Sequence, residues 1–155
     1  MRKKRVYVAV PLTHRRKLTQ AQVICEFLRT ENLHVTSPWV AEEDAKAGLT
    51  RPKVYDRDVL AVARSDAVVA EVSEPSHGIG MELMVALNTG TPVTCLYEEA
   101  SRISWMVLGA PRVHLIPYPA GCIEEVLENV ATWLRSLPQM STPKNLFLNT
   151  NEEEH

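Results

Sequence analysis

Residues 66–72 read DAVVAEV, an almost unbroken β-rich apolar run. A strand with one face in water alternates apolar and polar side chains, whereas a strand covered on both faces has no need to. This segment therefore predicts a central strand of a parallel sheet with helices packed on each side. The remaining pattern agrees. Val6–Val10 is a short strand stopped by Pro11, and Leu33–Ser37 is another stopped by Pro38. Pro92–Tyr97 and Arg112–Ile116 complete a set of five, the last ending at Pro117. Between them, Leu18, Ala21, Ile24, Cys25 and Leu28 recur at helical spacing over 17–31, as do Val54, Val59, Leu60, Val62 and Ala63 over Arg51–Arg64. Ile79–Asn88, Arg102–Leu108 and Ile123–Leu137 read as three further helices, and Ala41–Gly48 as a loop or weak helix.

Alternating strands and helices predict one α/β domain over residues 1–137, a doubly wound five-stranded parallel sheet of flavodoxin-like order 2-1-3-4-5. Residues 138–155 read as a tail or arm. A length of 155 residues suits a single core of this kind. Seventeen basic against nineteen acidic residues leave a net charge of −2, which gives no reason to expect binding to a nucleic-acid polymer or a membrane surface. The balance hides a basic head (Arg2–Arg5, then Arg15–Lys17) and an acidic end at Glu152–Glu154. Arg2–Arg5 is expected to be a solvated lead-in to the first strand. Cys25, Cys95 and Cys122 are far apart and odd in number, so reduced, buried thiols in a cytoplasmic protein are expected. No metal or cofactor is implied. Neither a membrane-spanning run nor a signal-peptide core is expected.

In doubly wound sheets, ligands bind beyond the carboxyl ends of the strands, near the point where strand order reverses. That rule selects Pro11–Lys17, Ser73–Gly80 and Tyr97–Ser104. The middle segment carries the most chemistry, with SEPSHGIGMEL running from Ser73 to Leu83. Gly78 and Gly80 let a backbone approach a ligand where a helix begins, and Ser76 stands beside the free N–H groups of its first turn. An anion pocket and an ordinary capped turn both fit. Glu82 follows just inside the helix, where the dipole favours a carboxylate, either as a nucleophile beside the pocket or as a helix residue with no task. Asp58 offers a second carboxylate to the same crevice, or else lies on a solvated helix face. Tyr7 and Trp39 fit packing roles. His14, Arg15 and Arg16 crowd the loop after strand 1, as phosphate ligands or as a solvated basic loop.

Taken together, these segments resemble the nucleoside 2-deoxyribosyltransferase superfamily, and within it the 2'-deoxynucleoside 5'-monophosphate N-glycosidases (N-hydrolases). The likeness covers about residues 5–137 and is strongest from DVLAVARSDAVVAEV at Asp58–Val72 into PSHGIGMEL at Pro75–Leu83. It implies that Glu82 attacks C1' to form a glycosyl-enzyme, with Asp58 holding the sugar or nucleotide and assisting the leaving base. Tyr7 falls at an active-site tyrosine of the family, and Ser76 at a serine that contacts phosphate. Ser104, in RISWM, falls at a serine that reaches the phosphate of the neighbouring subunit, which implies a homodimer. One departure concerns the loop after strand 1. The glycosidases have glycine and serine there, whereas Val10–Arg16 has no glycine and loses an N–H at Pro11. Phosphate would then lean on the side chains of His14, Arg15 and Arg16.

The resemblance leads to hydrolysis of the N-glycosidic bond of deoxynucleoside monophosphates, giving free base and 2-deoxyribose 5-phosphate. Transfer of the sugar to a second base is the alternative on the same residues, and a silent nucleotide-binding domain is the alternative from another class. The absence of an acidic pair after strand 1 and of a phosphoacceptor aspartate after strand 3 argues against a receiver domain.

Overall fold

The structure, a computed structural model, describes residues 2–12, 17–139, 146 and 148. Strands β1 (Arg5–Ala9), β2 (His34–Val35), β3 (Ala67–Glu71), β4 (Val93–Glu98) and β5 (Val113–Tyr118) form one sheet in the order β2-β1-β3-β4-β5. Every pairing is parallel. Helices α1 (Leu18–Thr30), α2 (Arg51–Ala63), α3 (His77–Asn88), α4 (Trp105–Gly109) and α5 (Leu127–Ser136) flank it. The expected fold and strand order are the ones observed. Most of the 138–155 tail lies outside the described residues, although Gln139 still donates to the Arg2 carbonyl at 2.8 Å.

The alternation of side chains along β1 decides which residues meet the crevice. Val6 and Val8 pack with Ile24 and Leu28 of α1 and Val130 and Leu134 of α5 on one face of the sheet. Tyr7 and Ala9 turn to the other face, with Val62 of α2 and Ile79, Leu83 and Ala86 of α3. Strand β3 behaves likewise and is buried at all five positions, as its apolar run requires.

Several boundaries shift for local reasons. Strand β2 is only two residues long because Ser37 replaces the ladder: its Oγ accepts from the Val8 N–H and donates to the Val8 carbonyl, both at 2.8 Å. That sharp exit leads into a 3-10 turn at Pro38–Ala41 carrying Trp39. Strand β5 runs past Pro117 to Tyr118, which an edge strand allows because one of its sides has no ladder partner. Helix α3 begins two residues before Ile79, capped by Ser76, and Gly90 at φ 68° closes it by accepting a left-handed turn. The N–H groups of Gly90 and Thr91 return to the carbonyls of Leu87 and Ala86 at 3.2 and 2.8 Å.

The basic head is docked rather than simply solvated. Both terminal nitrogens of Arg2 donate to the buried Asp66 carboxylate at 2.8 and 2.9 Å, and the Arg5 N–H donates to it at 2.7 Å. Lys4 Nζ donates to the carbonyls of Leu134 and Leu137 at the end of α5, where a cation suits the helix dipole.

Candidate active site

Three of the residues singled out in the sequence converge on the α2–α3 face of the sheet. Tyr7 comes from β1 and is 1% exposed, Glu82 from the second turn of α3, and Asp58 from the middle of α2. The Tyr7 hydroxyl donates to Glu82 Oε1 at 2.8 Å. Asp58 lies close enough to both to raise their proton affinities by its charge.

The Glu82 carboxyl is pushed up to about 8, chiefly by burial. The Tyr7 hydrogen bond and the Arg57 charge oppose that rise, and the Asp58 charge adds to it. The helix dipole, expected to favour the carboxylate, does not prevail. Glu82 is the sixth residue of α3, and a dipole contribution of about 0.3–1 kcal/mol fades within the first turn. Asp58 is likewise raised by burial, against the pull of Arg57, and Tyr7 lies well above its ordinary value for the same first cause, desolvation. A hydroxyl that stays protonated keeps its donor, so Tyr7 fixes one oxygen of Glu82 and leaves the other for chemistry.

Ser76 is placed by the same helix. Its Oγ caps α3, accepting from the Ile79 N–H at 3.3 Å, and it is partly exposed at the crevice. Gly78 and Gly80 are exposed beside it, and a Cβ at Gly80 would meet nothing within 4 Å among the described residues outside its own helix. Ser104 stands apart. It precedes α4, is exposed, and forms no side-chain cap. His14, Arg15 and Arg16 lie outside the described residues.

Two members of the cluster were not marked as functional in the sequence. Arg57 donates through Nε to Asp58 Oδ1 at 2.8 Å and through Nη1 to the Ala45 carbonyl at 2.7 Å. Its guanidinium lies 4.1 Å above the Trp39 ring, which in turn meets Tyr7 edge-on at 6.4 Å between centroids. The signal for Arg57 was its place in Tyr55-Asp56-Arg57-Asp58, a cation beside the candidate carboxylate; Trp39 gave no signal beyond its size.

Behind the crevice, on the opposite face of the sheet, lies a buried polar knot. Glu71 Oε1 accepts from the Ser73 N–H at 3.2 Å, from the Tyr118 hydroxyl at 2.9 Å and from the Ser73 hydroxyl. Ser73 Oγ in turn accepts from the Glu98 N–H at 2.8 Å, joining the ends of β3, β4 and β5. This knot anchors the loop that leads to Ser76.

Comparison of the sequence with known proteins gives the same family. A sequence model described as nucleoside 2-deoxyribosyltransferase matches residues 6–134. A protein of Methanococcoides burtonii named 2'-deoxynucleoside 5'-phosphate N-hydrolase 1 is 38% identical over 98 residues, covering 61% of this chain and 80% of that one. One of the same name from Thermofilum pendens is 30% identical over 137 residues, covering 84% of this chain and 94% of its own. Among solved structures, the Clostridium botulinum CMP N-glycosidase BcmB superposes with a TM-score of 0.63 at 21% identity, covering 84% of this chain and 99% of that one. BlsM superposes with a TM-score of 0.71 at 20% identity, covering 86% and 91%. At that identity the superpositions speak for the fold.

Proposed function

The chain belongs to the nucleoside 2-deoxyribosyltransferase family, and on that premise we propose that it hydrolyses the N-glycosidic bond of 2'-deoxynucleoside 5'-monophosphates. The observation that carries this reading is the Tyr7–Glu82 hydrogen bond with Asp58 beside it, at the mouth of the helix that Ser76 caps. Relatives named as 2'-deoxynucleoside 5'-phosphate and 5-hydroxymethyl-dUMP N-hydrolases support the same substrate class.

In this mechanism the free oxygen of ionised Glu82 attacks C1'. The bond from C1' to the base nitrogen breaks, and its electron pair leaves with the base. Asp58 holds the sugar and assists the departing base, which takes up a proton from water. Water then adds at C1', the bond to Glu82 breaks, and the water's spare proton passes to solvent. The products are free base and 2-deoxyribose 5-phosphate. Tyr7 holds Glu82 throughout. Ser76 and the N-terminal amides of α3 receive the phosphate, together with His14, Arg15 and Arg16 of the loop after β1.

The reading includes a homodimer in which Ser104 of each subunit reaches the phosphate in the other. Helices α3 and α4 support it, because they leave Met81, Met84, Trp105, Met106 and Leu108 exposed, Trp105 at 90%. It also places the enzyme in the cytoplasm, with residues 1–137 as the catalytic domain and 138–155 as an appended arm. The free thiols of Cys25, Cys95 and Cys122 support that location, and among the described residues no helix is long and apolar enough to cross a membrane.

Incubation with a panel of deoxynucleosides and their 5'-monophosphates, with and without an acceptor base, tests the proposal by chromatography. Free base from the monophosphates is the expected product. A new nucleoside or nucleotide in the presence of acceptor would assign the chain to sugar transfer, and no turnover of any member would contradict the enzyme reading.

A further inference from the structure

Arg57 and Asp58 are neighbours in sequence on one helix, and adjacent helical residues point about 100° apart, so they do not ordinarily pair. Here Arg57 Nε still donates to Asp58 Oδ1 at 2.8 Å. The guanidinium is bent back and fixed from two further directions. The Ala45 carbonyl accepts from Nη1 at 2.7 Å, and the Trp39 ring lies 4.1 Å beneath. Its side chain is 20% exposed, and its Nη2 is buried without a partner among the described residues. An ion pair serving only stability gains little from this arrangement, since it holds a cation largely out of water with one donor unused.

We propose that Arg57 is a positioning residue of the active site, aiming Asp58 directly and steadying the Tyr7–Glu82 pair through Trp39. The contacts form a continuous chain. Ala45 and Trp39 fix Arg57, Arg57 fixes Asp58, and Trp39 packs edge-on against the tyrosine that donates to Glu82. Among the described residues, the charged and titratable groups that shift one another around the pair are Tyr7 from β1, Asp58 and Arg57 from α2, and Glu82 from α3. Arg57 is the cation among them, so it favours the ionised state of both carboxyls. Lysine would keep the charge but could not stack on Trp39 while forking to Asp58 and Ala45.

The inference rests on the hydrolase reading, and its test separates the two. Arg57→Gln, Arg57→Lys and Trp39→Phe are compared with the wild type on the monophosphate it cleaves fastest, by kcat and KM across pH, with Tm measured alongside. Arg57→Gln is expected to lower kcat about ten- to hundredfold near neutral pH. It should also move the rising limb of kcat/KM up by about one pH unit. Arg57→Lys should restore the limb but only part of kcat. Trp39→Phe, which keeps a smaller ring under the guanidinium, should lower kcat to a value between those of wild type and Arg57→Gln. A fall in Tm with kcat and the limb unchanged in Arg57→Gln would overturn the proposal. Should Arg57→Gln fail to fold, wild-type kcat in Arg57→Lys would overturn it instead. Failure of the wild type on every monophosphate removes the hydrolase reading itself, whereas loss confined to the variants concerns Arg57 alone.

Discussion

As the proposed nucleophile, Glu82 carries two demands that conflict in water-poor surroundings, since a nucleophile must be ionised and burial favours the protonated form. With its carboxyl pushed up to about 8, kcat/KM should rise with pH and reach half its plateau near that value. The same burial has a consequence for stability. A carboxyl raised in the folded state stabilises the fold below its unfolded value, and that contribution drains away as pH climbs through the folded value. Glu82→Gln should therefore melt progressively higher than wild type from about pH 4.5 upward, with the gain levelling off above about 8. Thermal melts of both proteins across pH 4–9 measure this, and a difference independent of pH would contradict it. Family likeness singled out Glu82, Asp58 and Tyr7 because it marks residue types at fixed places, and the structure brings these three together. The likeness could not give the charge state of Glu82, which depends on how much protein surrounds the carboxyl. Nor could it separate Arg57 from other surface arginines, because its contacts with Ala45 and Trp39 come from a turn and a loop with no periodic signal.

At the scale of elements, parallel strands end where chemistry begins, so the strand ends need support that the ladder cannot supply. Glu71 provides it by gathering Ser73 and Tyr118 on one carboxylate oxygen. Removal of the Tyr118 hydroxyl deletes a hydrogen bond to a buried acidic group, worth about 1.5–3 kcal/mol. Tyr118→Phe should show that loss in urea unfolding, and a loss under about 0.5 kcal/mol would show that the knot adds little. The strands and helices were legible because apolar periodicity is strong over 66–72 and 17–31. Their ends were less so. Strand β2 stops where the Ser37 hydroxyl takes over from the backbone, and β5 passes a proline because it is an edge, and neither fact is visible before the sheet is assembled.

For the molecule as a whole, the charge asymmetry of the sequence resolves into one clear structural part. The basic lead-in is a clasp, with Arg2 and Arg5 on Asp66 and Lys4 on the end of α5, tying the first strand to the start of β3 and to the last helix. A dimer built on α3 and α4 would cover their exposed apolar side chains and complete the phosphate site. Trp105→Ser should yield a monomer by sedimentation, and Ser104→Ala should remain dimeric while raising KM for monophosphates. A wild type that sediments as a monomer would contradict the shared site.

All these scales meet in the proposed reaction at C1', in which Glu82 is assigned the attacking atom. The most direct measurement is release of free base from a deoxynucleoside 5'-monophosphate by wild type and Glu82→Gln at pH 8. Release by the wild type, reduced in the variant by a factor on the order of a thousand or more, is the predicted result. Equal release by both proteins would contradict the role assigned to Glu82.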